Sequence, residues 1–227
     1  MKTSIEKPPL LLGNLWQDMF QIHTANLTPQ PLPDPFQTTE KRGEIELKTQ
    51  LYSLFNQWEI RLARVTSPKI DILNLYAFPF EKKDLPVVVM EMVRFGPKPL
   101  VAVADLIGFG EQSRLAARKV LRLVHSAYPS LKNSQDPPVW FQECRSGEDF
   151  FIRPQNLLEW QTCCFAFRQL WKKAFFPLPG VDPSPEAHQA LGQYKQHHLV
   201  NSPSRPFLQK TFGASWTEDY LHKVLLQ

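Results

Sequence analysis

Glu91 is an acid in an apolar strand: it lies within the run Val87-Val88-Val89-Met90-Glu91-Met92-Val93. Strand alternation puts it on one face with Val87, Val89 and Val93. A carboxylate isolated there is costly, so it must be paired, hydrated, or held protonated with a raised pKa. A carboxylic acid kept neutral near pH 7 is what general acid catalysis requires. A solvent-facing or ion-paired glutamate is the plainer alternative. The apolar run before it, Ile70 to Phe78, carries Asn74 on a face with Ile72 and Tyr76. An amide donates and accepts at once, so Asn74 can hold a ligand carbonyl or lactam in register, or serve as a buried structural amide.

Three further positions invite the same question. Glu59 and Arg61 share a face of WEIRLARV and can pair with each other at a wet edge. Asp105 ends Val101-Ala102-Val103-Ala104-Asp105, where an acid either organises a turn or does chemistry. Arg153 follows Phe150-Phe151-Ile152, and its planar fork can grip a carboxylate or lie in a surface ion pair. No phosphate-binding glycine loop, dinucleotide fingerprint, nucleophile elbow or histidine-rich metal cluster accompanies these residues. His197 and His198 are adjacent, so on a helix they point to different faces. A redox enzyme with this inventory takes its electrons from another protein.

The elements that must position these residues follow from periodicity. Between residues 44 and 109, runs rich in β-branched and aromatic residues are divided by TSPK, EKKD and GPKP. Short strands with short connectors read as an antiparallel meander, because parallel strands need long crossovers. Helical spacing predicts helices over 11–23, 111–127, 155–176, 185–199 and 203–226, the last interrupted at FGASW. A proline-punctuated connector of extended, turn-like character fills the stretch up to residue 43. Strands first and helices afterwards argue for an α+β fold in which helices cover both faces of one sheet. That cover also explains middle strands that are apolar on both faces. One domain over 1–227 is expected, in three parts: 1–43, 44–109 and 110–227.

Composition bounds the function. The chain has 227 residues, 43% apolar and 21% charged, which is ordinary globular usage. The aromatic share of 12%, with 16 Phe, suits a flat hydrophobic ligand or a phenylalanine-rich core. A net charge of +4 without a dense Lys/Arg stripe argues against nucleic acid and permits an acidic protein partner. Three cysteines, with Cys163 and Cys164 adjacent, offer neither metal spacing nor a disulfide framework, which points to a reducing compartment. No apolar stretch approaches the roughly 18 residues of a membrane span, and the N-terminal run is too short for a signal peptide. A cytoplasmic protein is the expectation.

The order of segments resembles the ferredoxin-dependent bilin reductases from about residue 30 onward. The landmarks are PLPDPF, WEIRLARV, IDILNLYAFPF, the DLP turn before VVVMEMV, LVAVADL, FFIRPQN and FGASWTEDYLHKVLL. No single landmark is diagnostic, but their order at compatible spacing is specific. The resemblance implies a three-layer α/β/α sandwich with a central antiparallel sheet, and a bilin held between sheet and C-terminal helices. It implies no permanently bound cofactor and no metal: electrons arrive singly from the [2Fe-2S] protein ferredoxin, and side chains supply protons. A monomer is the family's usual state.

Position by position, Glu91 falls where most members have the aspartate that protonates the bilin. Asn74 falls where members making phycoerythrobilin precursors have asparagine and phycocyanobilin enzymes have histidine. Arg61 stands in the place of a glutamate that the latter use on a vinyl group, and Arg153 matches an arginine that binds a propionate. Asp105 is not the donor in this alignment. Ser113, Ser202 and Arg205 complete the substrate-binding candidates, with Ser202 where many members carry a second aspartate. One good acid and no histidine imply a two-electron reduction of biliverdin IXα, giving 15,16-dihydrobiliverdin. The alternatives are another bilin or a chlorophyll catabolite as substrate, or a carrier that binds bilin without turnover.

Overall fold

A computed structural model describes residues 15, 17, 19, 21, 24–80, 83–175 and 182–226. The predicted meander is there. Strands β3 (Ile45–Leu54), β4 (Trp58–Thr66), β5 (Ile70–Pro79), β6 (Val87–Phe95) and β7 (Lys98–Ile107) pair in sequence order, all antiparallel. The connector adds two short strands, β1 (Leu27–Gln30) and β2 (Thr39–Arg42), both pairing with β3. Beyond α1 (Glu111–Ala127) and the short α2 (Val139–Gln142), β8 (Phe150–Ile152) returns to pair with β7 and completes the 8-stranded sheet.

Alternation along each strand divides the apolar side chains between two layers. On one face Ile60, Leu62, Leu73, Leu75, Met90, Met92 and Ala104 pack beneath α1 and α3 (Leu157–Ala174), whose Trp160, Phe167 and Trp171 are fully buried. Of the first predicted helix, Leu15, Gln17, Met19 and Gln21 are helical, and the rest of 11–23 lies outside the described residues. Met19 is buried in this layer, and its carbonyl accepts the Trp171 indole N–H at 2.8 Å. This face is a continuous apolar core.

The other face carries Leu47, Ala63, Val65, Tyr76 and Val89 beneath α4 (Pro185–Asn201), α5 (Arg205–Phe212), α6 (Ala214–Tyr220) and a π turn over Leu221–Leu225. The break expected at FGASW falls at Gly213, whose φ of 96° ends α5 and starts α6 in a conformation that a side chain would strain. Asn156 and Ser184 cap α3 and α4 by accepting from the amides of Glu159 and Ala187. The result is an α/β/α sandwich around one antiparallel sheet, as the strand and helix order implied. Among the described residues no helix is long and apolar enough to cross a membrane.

Candidate active site

Between the sheet and the C-terminal helices lies a cavity of about 360 Å³. That is within the range of small-molecule and cofactor sites, roughly 300–1,000 Å³. Its floor is laid out by strand register. One row across the sheet reads Ala63–Asn74–Glu91–Val103–Phe151, each residue opposite the next on the neighbouring strand. The next row reads Arg61–Tyr76–Val89–Asp105, and the row on the other side Val65–Ile72–Val93–Val101. Rows on one face are two residues apart, about 6.8 Å. Glu91 and Asn74 are therefore direct cross-strand neighbours on the cavity floor, with Cβ atoms on the order of 5 Å apart.

The walls are mostly apolar and aromatic: Trp140 and Phe141 from α2, Phe207 and Leu208 from α5, and Tyr220 from α6. Tyr220 turns its hydroxyl away to Thr49, 2.8 Å distant, and so offers the cavity only its ring. Phe95 and the Arg153 side chain line the cavity yet are each 47% exposed, which marks the mouth.

Glu91 lines the cavity, and among the described residues it takes part in no ion pair. Burial raises its carboxyl from 4.5 to about 7, so the acid is substantially protonated at neutral pH. Beside it, Asn74 is 8% exposed and, among the described residues, its Oδ1 has no hydrogen-bond partner. A buried acceptor without a donor calls for an occupant, and a ligand N–H above the row would satisfy it. Arg153 stacks over Phe151 with its guanidinium 5.7 Å from the ring centroid, and Nη1 donates to Asp136 at 2.8 Å. That ion pair is exposed on both sides and is readily exchanged for another carboxylate.

The structure thus brings Glu91, Asn74 and Arg153 to one cavity. It places the other candidates elsewhere. Arg61 is 2% exposed rather than at a wet edge; it pairs with Glu59 at 3.0 Å and stacks on Phe78 at 5.1 Å, outside the cavity lining. Ser113 is fully buried at the start of α1, where its hydroxyl closes a capping box with Gly110. Ser202 sits one hydrogen bond behind the wall, 2.9 Å from Ser204, which does line it. Arg205 is held by Glu218 and by the Leu199 carbonyl and does not line the cavity. Asp105 is fully buried and accepts from the Ser146 hydroxyl and amide and from the Leu106 amide. It organises the chain after β7.

Two polar groups on the wall were not singled out from sequence. Tyr76 is the face-mate of Asn74, and His198 descends from α4 to meet it, with Nδ1 3.5 Å from the hydroxyl. Of the adjacent histidines, His197 turns outward to the Trp140 carbonyl at 2.7 Å while His198 is 4% exposed. Helical geometry requires that the two diverge but does not say which one enters.

A family model described as ferredoxin-dependent bilin reductase matches residues 17–227. Phycocyanobilin:ferredoxin oxidoreductase of Trichodesmium erythraeum is 26% identical, over 99% of this chain and 98% of that protein. Phycoerythrobilin:ferredoxin oxidoreductase of Nostoc punctiforme is 24% identical, over 88% of this chain and 86% of that protein. A 15,16-dihydrobiliverdin:ferredoxin oxidoreductase of Prochlorococcus marinus is 23% identical over 86% and 87%. Among solved structures, tomato phytochromobilin synthase in complex with biliverdin superposes with a TM-score of 0.74 at 15% identity, covering 92% of this chain and 80% of that one. That likeness is one of fold.

Proposed function

The chain belongs to the ferredoxin-dependent bilin reductases, and from that premise we propose that it reduces biliverdin IXα to 15,16-dihydrobiliverdin, with Glu91 as proton donor. The observation that carries the reading is the acid itself: a carboxyl raised to about 7 on an apolar cavity floor, with an unpartnered amide oxygen beside it. An open-chain tetrapyrrole is flat and apolar over its rings and bears lactam N–H groups and two propionates. The aromatic walls match the rings, Asn74 Oδ1 accepts from a ring N–H, and Arg153 at the mouth takes a propionate in place of Asp136.

Electrons come one at a time from ferredoxin, whose acidic surface suits the net charge of +4. Each electron raises the basicity of the tetrapyrrole, and Glu91 delivers a proton to the carbon skeleton above it. Saturating one carbon–carbon double bond takes two electrons and two protons. A single carboxylic acid on the cavity wall favours stopping there, and the bridge beside the D ring is the bond we assign. The chain works as a monomer with no resident cofactor.

Anaerobic incubation with biliverdin, reduced ferredoxin and an electron-regenerating system tests this. The bilin absorption should shift to that of the dihydro product, and Glu91→Gln should bind biliverdin but stall after the first electron. A stoichiometric complex whose spectrum never changes would instead identify a carrier and end the enzyme reading.

A further inference from the structure

Glu91 accounts for one proton of the reduction, and two other polar groups on the cavity wall, Tyr76 and His198, form a connected string with Cys144 behind them. Tyr76 stands one row behind Asn74 and Glu91, in the row that ends at Asp105. Its hydroxyl is 3.5 Å from His198 Nδ1, and His198 Nε2 is 3.4 Å from the Cys144 sulfur. The Tyr194 ring packs on the imidazole at 4.4 Å between centroids, and the Trp140 ring edge closes on it at 5.7 Å. Cys144 is half-buried, and its sulfur also lies 3.4 Å from the Phe141 carbonyl.

We propose that His198 is the second proton-transfer residue of the cavity, feeding the reduced bilin through Tyr76 from the half-buried Cys144 on its other side. The inference rests on the reductase reading above. It gives a role to a histidine, a tyrosine and a cysteine that the Glu91 chemistry leaves unused.

Each link is in the protonation state a relay needs. Burial and the neighbouring His197 hold the His198 ring near 4, so at neutral pH one nitrogen carries a proton and the other accepts one. Burial keeps the Cys144 thiol protonated, up to about 12, and burial with the charge of Glu91 does the same for the Tyr76 hydroxyl. When Tyr76 gives its proton to the reduced bilin, Nδ1–H of His198 restores it. Nε2 then takes the Cys144 thiol proton, which solvent returns to the half-buried sulfur. The ring starts as the Nδ1–H tautomer and ends as the Nε2–H tautomer, neutral in both, and its return to the first between turnovers resets the relay; no oxidant or reductant beyond ferredoxin is involved. Distances of 3.4 and 3.5 Å are long for transfer, as they commonly are before a substrate tightens the site.

Anaerobic single-turnover mixing with biliverdin and reduced ferredoxin, read by absorbance and electron paramagnetic resonance, tests the relay with His198→Ala, His198→Gln and Tyr76→Phe. His198→Ala should still bind biliverdin stoichiometrically and accept the first electron at the wild-type rate. Its bilin radical should then outlive the wild-type signal by at least about tenfold. Added imidazole should shorten that lifetime, and Tyr76→Phe should reproduce it. An unchanged radical lifetime in His198→Ala overturns the relay. Lost biliverdin binding in His198→Ala, restored together with full rate by His198→Gln, also overturns it, because glutamine fills the wall and cannot pass the proton. Failure of the wild type to reduce biliverdin is a different result, and it counts against the reductase reading itself.

Discussion

Glu91→Gln should make the folded protein more stable in base but not in acid. Lifting the carboxyl from 4.5 to about 7 is worth about 3.5 kcal/mol, since each pKa step is worth roughly 1.4 kcal/mol. Below 4.5 both the folded and the unfolded chain hold the proton. Between 4.5 and about 7 only the folded chain keeps it, so stability declines as pH rises through this window. Above about 7 the folded protein carries a buried carboxylate and the full penalty. Glutamine has nearly the same shape and no titration. The stability difference between variant and wild type should therefore move in the variant's favour by about 2.5 kcal/mol from roughly pH 5 to roughly pH 8. In urea titrations at those two pH values, with a slope of about 3 kcal/mol/M for a chain of this size, the midpoint difference should change by about 0.8 M. Asp105 also titrates near 7, but it is present in both proteins and cancels in the comparison. A midpoint difference that is the same at both pH values would refute the idea that cavity burial holds Glu91 protonated. It would also remove the physical ground for its proposed role as donor.

Other perturbations separate the site from its scaffold. Turnover of the wild type should fall as pH rises through about 7, where the donor loses its proton, while bilin affinity measured by absorbance titration changes much less. Asn74→Leu should weaken biliverdin binding by about tenfold in an absorbance titration, because the amide oxygen it removes is the acceptor left open for a ligand N–H. Arg153→Ala should raise KM by about tenfold with a smaller effect on kcat, as expected when a charged anchor acts on bound and activated bilin alike. Asp105→Asn, by contrast, should lower unfolding stability by about 2 kcal/mol, since one of its carboxylate oxygens that accepts hydrogen bonds becomes a donor.

Much of this was readable from the residues. The meander declared itself because each strand is a β-branched run closed by a turn, and α1 occupies the predicted 111–127. The face assignments of Asn74 and Glu91 followed from alternation alone, and both faces do meet the cavity. Their position directly opposite each other did not follow, because register depends on the turn between β5 and β6 and is invisible in either strand by itself. Strands β1, β2 and β8 have only three or four residues each, too short for a period to appear. Arg61 looked like a wet-edge residue because charge in a strand usually means exposure. In the fold its guanidinium is covered by Phe78 and the pairing with Glu59 compensates its burial. Ser113 and Arg205 turned out to serve a helix cap and an ion pair to Glu218, roles that depend on neighbours distant in sequence or on local backbone geometry.

The row layout of the floor has a consequence for how such a protein changes its product. Because the sheet is backed on its far side by a buried apolar layer, the floor acts as a ruler with fixed graduations. The acid can be moved along it from Glu91 to Val89 or Val93 in steps of about 6.8 Å, with no backbone change, since both valines already face the ligand space. Each step would aim the proton at a different part of a tetrapyrrole anchored at Arg153. On the proposed reading, regioselectivity on this scaffold would be a matter of address rather than of new chemistry.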